Sequence, residues 1–233
     1  MSEEMPLDSA EADRRLSSIK SRIAEALAKS GRGPEEATLL AVSKTFPAQD
    51  VEIFHKCGQL AFGESYVQEA REKIPSLPPD VVWHFIGHLQ SNKAKVAADL
   101  FSVVHALDSL DLALQLDKRL ETAEKTMQVY VQVNVSGEDS KSGLRPEDLA
   151  RFLDALAPLK RLAVQGLMTM PPYDPDPESS RPHFASLREL RDRVCPHLKG
   201  LSMGMSDDFP VALSEGATIV RVGSALFGRR RRP

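Results

Sequence analysis

Two spacings of apolar residues alternate along the chain. Leu16, Ile19, Ile23 and Leu27 recur at helical intervals, which predicts a helix opening near Ser9 as N-cap and stopping at Gly31 and Gly33-Pro34. Residues 1–8 carry no such pattern and read as disordered. Thr38 to Ser43 follows as a short unbroken apolar run, the form of a strand buried on both faces. The same alternation then continues. Strand-like runs at Leu60–Phe62, Val81–Ile86, Phe101–Ala106, Val129–Val135, Leu162–Met168, Gly200–Met205 and Thr218–Val222 are interleaved with helical segments. Those segments lie near Pro47–Cys57, Tyr66–Lys73, Gln90–Ala98, Ser109–Lys125, Arg145–Leu156 and His183–Val194, with another after Ser206-Asp207.

About eight strands alternating with helices, in a chain of 233 residues, match a (β/α)8 barrel, typically about 250 residues long. An open doubly wound sheet seldom carries so many repeats. The expected fold is α/β: a single (β/α)8 TIM barrel over residues 9–228 with an extra N-terminal helix, and a basic tail at 229–233. Composition narrows the function. Thirty Lys and Arg against 33 Asp and Glu give a net charge of −3, which argues against a nucleic-acid binder. No apolar run approaches the ~20 residues of a membrane span, and the acidic Met1-Ser2-Glu3-Glu4 start is no secretory signal. Cys57 and Cys195 have neither metal nor redox spacing. A reduced, cytoplasmic protein is expected, a monomer by default.

In such barrels the chemistry sits at the C-terminal ends of the strands. Lys44 follows the first strand directly. It reads either as a rim lysine snorkelling to water, which the pattern alone favours, or as a partly buried amine whose lowered pKa makes it a nucleophile. Ser206 in Ser202-Met203-Gly204-Met205-Ser206, and Gly223-Ser224 after the eighth run, fit a phosphate site between the last two loops. The bland alternatives are an N-cap and a turn. Arg221, near the end of a core strand, calls for a fixed acceptor, either a carboxylate or a ligand atom. Glu64, His84, His88, Asp108, Asn134 and Lys141 fall on the same rim. His84 and His88 lie four apart, but Gly87 and the apolar flank speak against a zinc pair. Without further information, a Schiff-base aldolase acting on a phosphorylated sugar is one open reading.

Several blocks carry a stronger signal. Ala41-Val42-Ser43-Lys44-Thr45, Phe62-Gly63-Glu64-Ser65-Tyr66-Val67-Gln68-Glu69 and Trp83 through Lys93 resemble the pyridoxal phosphate homeostasis protein family. Val133 through Glu138, Gly166 through Met170, Leu201 through Asp207 and Arg221 through Gly228 extend the resemblance in order over most of the chain. It implies a fold-type III barrel similar to the N-terminal domain of alanine racemase. It also implies that Lys44 forms an internal aldimine with pyridoxal 5′-phosphate (PLP), with the phosphate against Ser206, Gly223 and Ser224. Arg221 is implied to face the pyridine nitrogen, and His84 and Met205 to line the pocket. Two positions depart from the family: Ser65 stands where Asn is common, and Phe46 where a second lysine often follows. Lys141 is left as an alternative acceptor of PLP.

A cation opposite the pyridine nitrogen keeps that nitrogen unprotonated and weakens the electron sink. A racemase adds a tyrosine base from a second domain, which this chain is expected to lack. Thr45-Phe46-Pro47 replaces the racemase Tyr-Gly-His-Gly run, and Met170 stands where a racemase has histidine. The implied function is a binding protein that holds PLP reversibly for intracellular vitamin B6 homeostasis and supply, without efficient catalysis, with apo-PLP enzymes as potential recipients. The alternative is a weak PLP-dependent racemase or lyase.

Overall fold

The computed structural model describes residues 7–138 and 141–228. Most of the expected disorder at 1–8, and the whole basic tail at 229–233, lie outside the described residues. Eight parallel strands close into a barrel in sequence order. They are β1 (Thr38–Val42), β2 (Ala61–Glu64), β3 (Val82–Phe85), β4 (Val103–Leu107), β5 (Met127–Gln132), β6 (Leu162–Met168), β7 (Gly200–Ser202) and β8 (Ile219–Val222). The seam closes through Thr38↔Ile219, Leu39↔Val220, Leu40↔Arg221 and Ala41↔Val222. Around the barrel run α1 (Ser9–Lys29), α2 (Ala48–Lys56), α3 (Val67–Lys73), α4 (Ala94–Leu100), α5 (Leu110–Thr122), α6 (Leu149–Leu156), α7 (Arg181–Val194), α8 (Phe209–Ser214) and the short α9 (Ser224–Phe227).

Alternate strand residues serve two cores. Leu39, Ala41, Val104, Val129, Val131, Val220 and Val222 belong to the large apolar layer that also holds Leu16, Phe54, Leu112 and Leu116 of the helices. Leu40, Val103, Tyr130, Met168 and Ile219 form a separate small cluster from five different strands. That cluster lies in the barrel interior, where polar strand residues, His84, His105, Ser202 and Arg221, are buried as well. Strand ends move where glycine or charge hides the pattern. β2 extends through Gly63 and Glu64, past the expected Phe62. β7 stops at Ser202, because Gly204 turns the chain at φ +93°. β4 and β5 also shift, to begin at Val103 and Met127.

The N-terminal helix lies across the closing seam. Its cap is Asp8, not Ser9: the Asp8 carboxylate accepts the Glu11 N–H at 2.8 Å. Leu16, Ile19, Ile23 and Leu27 are buried, each contributing about 1.5–3 kcal/mol; truncating one, as in Leu16→Ala, costs about 2–5 kcal/mol. Arg15 and Arg32 donate to the Leu226 carbonyl at 2.9 Å and the Leu213 carbonyl at 3.0 Å. The Leu226 carbonyl lies in the last turn of α9, and the Leu213 carbonyl also accepts the Gly216 N–H at 3.1 Å.

Candidate functional site

A cavity of about 610 Å³ opens at the C-terminal ends of the strands. Lys44, Met205, Ser206, Arg221, Gly223 and Ser224 all line it, brought together from the loops after β1 and β7 and from the end of β8. Lys141, Ser65 and Phe46 line it as well. His84 does not: it lies below, in the barrel interior, and corrects the expectation that it faces the pocket. An inward-pointing strand residue one layer down reads the same as a rim residue when only the sequence is seen.

The backbone around Lys44 is tightly held. Thr45 has φ +69°, a left-handed conformation uncommon for a β-branched residue. Its N–H donates to Glu69 Oε1 at 2.7 Å. On the other side, the Ser43 carbonyl accepts from Lys73 Nζ at 3.0 Å and from the Phe46 N–H at 3.1 Å. The Lys73 ammonium also donates to Glu64 Oε1 and to Glu69 Oε1, each at 2.7 Å. Ser43 Oγ donates to Glu64 Oε1 at 2.7 Å. Glu64 is fully buried, and its Oε2 has no hydrogen-bond partner. Burial pushes its carboxyl up, with Lys73 pulling the other way. Lys73 escaped the sequence reading because a charged helix residue resembles a solvated one; the signal was a lysine four residues after Glu69, on the turn facing Glu64.

Arg221 is buried too, and its acceptors are neutral. Nη1 donates to the Ser202 carbonyl and to Ser202 Oγ, both at 2.8 Å, and Nη2 donates to the Thr169 carbonyl at 2.9 Å. Ser202 Oγ is 2.7 Å from His105 Nδ1, and His105 Nε2 is 2.8 Å from His84 Nδ1. A guanidinium only donates. The assignment that uses each hydrogen once therefore runs outward: Ser202 O–H donates to His105 Nδ1, and His105 Nε2–H donates to His84 Nδ1. Burial holds His84 down at about 4 and His105 well below the usual imidazole range. The His105 ring stacks on Tyr130, with centroids 4.8 Å apart. Desolvation lowers Arg221 to about 10, so it remains cationic at neutral pH; Asp208 opposes the shift through space. Sequence spacing could not have joined His84, His105 and Ser202, because they come from β3, β4 and β7 and meet only across the barrel.

The loops after β7 and β8 are fixed to one another. Asp208 Oδ1 accepts the Met205 N–H at 2.6 Å, and its Oδ2 accepts from Ser180 Oγ at 2.9 Å. The Gly223 N–H donates to Ser206 Oγ at 3.2 Å. On the far rim, any Cβ at Gly87 would strike the Ser65 carbonyl oxygen, which explains a glycine there. Of the other rim candidates, His88 lines the cavity and approaches Asp108 at 3.8 Å, while Asn134 Nδ2 donates to the Glu138 carbonyl at 2.8 Å, tying down its own loop. Among the described residues no group of three or more His, Cys, Asp or Glu could hold a metal ion. No helix among them is long and apolar enough to cross a membrane.

A nucleophile-type side chain, a buried cation and two hydroxyl-bearing loops thus share one cavity, the donor set for a ligand with an electrophilic carbon and an anionic group. The family described as alanine racemase, N-terminal domain, matches residues 15–231. A pyridoxal phosphate homeostasis protein of Aquifex aeolicus is 44% identical over 225 residues, covering 93% of this chain and 97% of the relative. One from Pseudomonas aeruginosa is 46% identical over 220 residues, covering 92% and 94%. The structure of PipY from Synechococcus elongatus with PLP bound superposes with a TM-score of 0.77 at 39% identity, over 88% of this chain and 100% of that one. The chain belongs to the pyridoxal phosphate homeostasis protein family, on the barrel of the alanine racemase N-terminal domain.

Proposed function

We propose that this protein binds PLP reversibly through a covalent link to Lys44 and serves intracellular vitamin B6 homeostasis and supply, without efficient catalysis. The observation that carries the proposal is the convergence of Lys44, Ser206, Gly223, Ser224 and Arg221 on one cavity. The chemistry PLP supplies when bound is an aldehyde that an amine captures with loss of water, joined to a ring that accepts electrons.

Lys44 Nζ is the capturing amine. Ser206 and Ser224 offer hydroxyls, and the loops that carry them offer backbone N–H groups, for the phosphate oxygens. Arg221, cationic at neutral pH, is a donor and cannot itself accept a proton, so it disfavours protonation of a ring nitrogen set against it. Met205 adds apolar surface. Lys141 on the cavity wall is a second amine within the same space, fit to receive PLP from Lys44 by exchange. Release to an apo-enzyme or to a free amine follows from the same exchange. Among the described residues the closed barrel leaves no unpaired strand edge, which supports a monomer; the balanced charge and the two free cysteines, Cys57 and Cys195, support the cytoplasm.

Titration with PLP should give a visible absorbance band. Borohydride should then fix the label on the peptide containing Lys44, and Lys44→Ala should lose that adduct. A label scattered over surface lysines of the wild type would sink the proposal. Turnover of an amino acid, abolished by Lys44→Ala, would move the protein to the competing class of weak PLP-dependent racemase or lyase.

A further inference from the structure

The cluster of Glu64, Glu69 and Lys73 lies outside the cavity lining, yet it grips both backbone groups that flank Lys44. We propose that Glu69 and Lys73 of α3, seated against Glu64 of β2, are positioning residues for Lys44: they fix its Cα so that the amine enters the cavity from one place. The inference rests on the PLP reading above and goes beyond it, since it gives a part to residues that touch no ligand.

The geometry is specific. Lys73 uses its three ammonium hydrogens on Ser43 O, Glu64 Oε1 and Glu69 Oε1. The same Glu69 oxygen takes the Thr45 N–H. The carbonyl before Lys44 and the amide after it are therefore both bound, through one ammonium and one carboxylate, to the same helix. A charged cluster of this kind is a poor device for stability alone, because desolvating the ions offsets their attraction and apolar packing would serve equally well. The unpartnered Glu64 Oε2 shows that cost retained. What apolar side chains could not do is hold Thr45 at φ +69° by a hydrogen bond aimed at its amide. Strain kept in place by surrounding structure is a mark of a site whose geometry matters.

The test separates the positioned acceptor from charge and from folding. Glu69 sits at the partly open edge of the cluster, so Glu69→Ala should fold. It should accelerate hydrogen exchange of the Thr45 amide in the PLP-free protein, and weaken PLP binding about tenfold, the scale of one charge-assisted hydrogen bond. Glu69→Gln retains an acceptor oxygen and should recover most of both. Lys73→Met should exceed Glu69→Ala on both readouts, and if it does not fold the Glu69 pair decides. Glu69→Ala with wild-type exchange and affinity overturns the assignment, as does Glu69→Gln as damaging as Glu69→Ala, or a folded Lys73→Met with wild-type affinity. Failure of the PLP reading is seen separately, as a wild-type protein that gives no borohydride adduct on Lys44.

Discussion

Beneath Lys44, two carboxylates and one ammonium meet within single hydrogen-bond distances, and the charge is largely answered where it arises. Beneath Arg221, one guanidinium meets two carbonyls and a hydroxyl, and the hydroxyl leads into two uncharged imidazoles. Lys73 and Arg221 are both buried, but only Lys73 meets opposite charge within hydrogen-bond distance. The first shapes backbone: its bonds end on Ser43 and Thr45. The second leaves a positive charge that no contacting carboxylate neutralises among the described residues; Asp208 answers it only through space. On the proposed reading, one cluster sets where the Lys44 amine stands, and the other keeps a cation at the cavity wall.

Acid should drive the two clusters apart, with the largest effect. His84 titrates at about 4 in the folded protein against 6.5 when free. Between those values the unfolded chain binds the proton and the folded one does not. Stability from this group is thus complete above about pH 6.5 and lost as pH falls toward 4, by up to about 3 kcal/mol. His105 adds to the loss with the same sign. Glu64 acts the other way: its carboxyl is raised in the folded state, so the folded protein takes up that proton first and acid favours folding through it. Urea midpoints across this range should fall less steeply in His84→Leu than in the wild type. Equal slopes would remove the imidazole pair from the account.

Ser202→Ala should come next. It deletes one of the three acceptors of Arg221 and the donor to His105 together, leaving a buried imidazole nitrogen short of a partner, at about 1–3 kcal/mol. The loss would be read in denaturant unfolding, with Ser206→Ala, on the cavity wall, expected to cost less. Thr45→Gly should be the smallest change. Relief of about 1 kcal/mol of left-handed strain is offset by about 0.5–1 kcal/mol of glycine entropy, so the unfolding midpoint should barely move. PLP affinity should hold too, because the Thr45 amide is kept; a large loss would show that the threonine side chain matters and not its N–H.

The same contrast explains how far the sequence could be read. Parallel barrel strands are buried on both faces, so β1 and β5 stand out as apolar runs. β2 was shortened in that reading because Gly63 and Glu64 break the run, although one packs against Leu40 and Ile86 and the other is buried. Lys44, Ser206, Arg221, Gly223 and Ser224 were legible because each lies at or just past the end of a strand, and strand order alone sends such residues to one rim. His84 was misplaced because rim and interior differ by a layer that periodicity does not record. Lys73 was passed over because burial of a helix lysine is decided by a carboxylate on a neighbouring strand, not by its own surroundings in the chain.

The helix that crosses the seam has a consequence for synthesis. α1 leaves the ribosome well ahead of α8 and α9, yet the carbonyls that Arg15 and Arg32 grip belong to Leu226 and Leu213. At about 5–20 residues per second, Leu16 and its apolar neighbours wait on the order of ten seconds or more for those partners to be made. Through that interval the nascent chain carries an uncovered greasy stripe, which is a natural landing place for a chaperone and the first place a stalled or truncated product would aggregate.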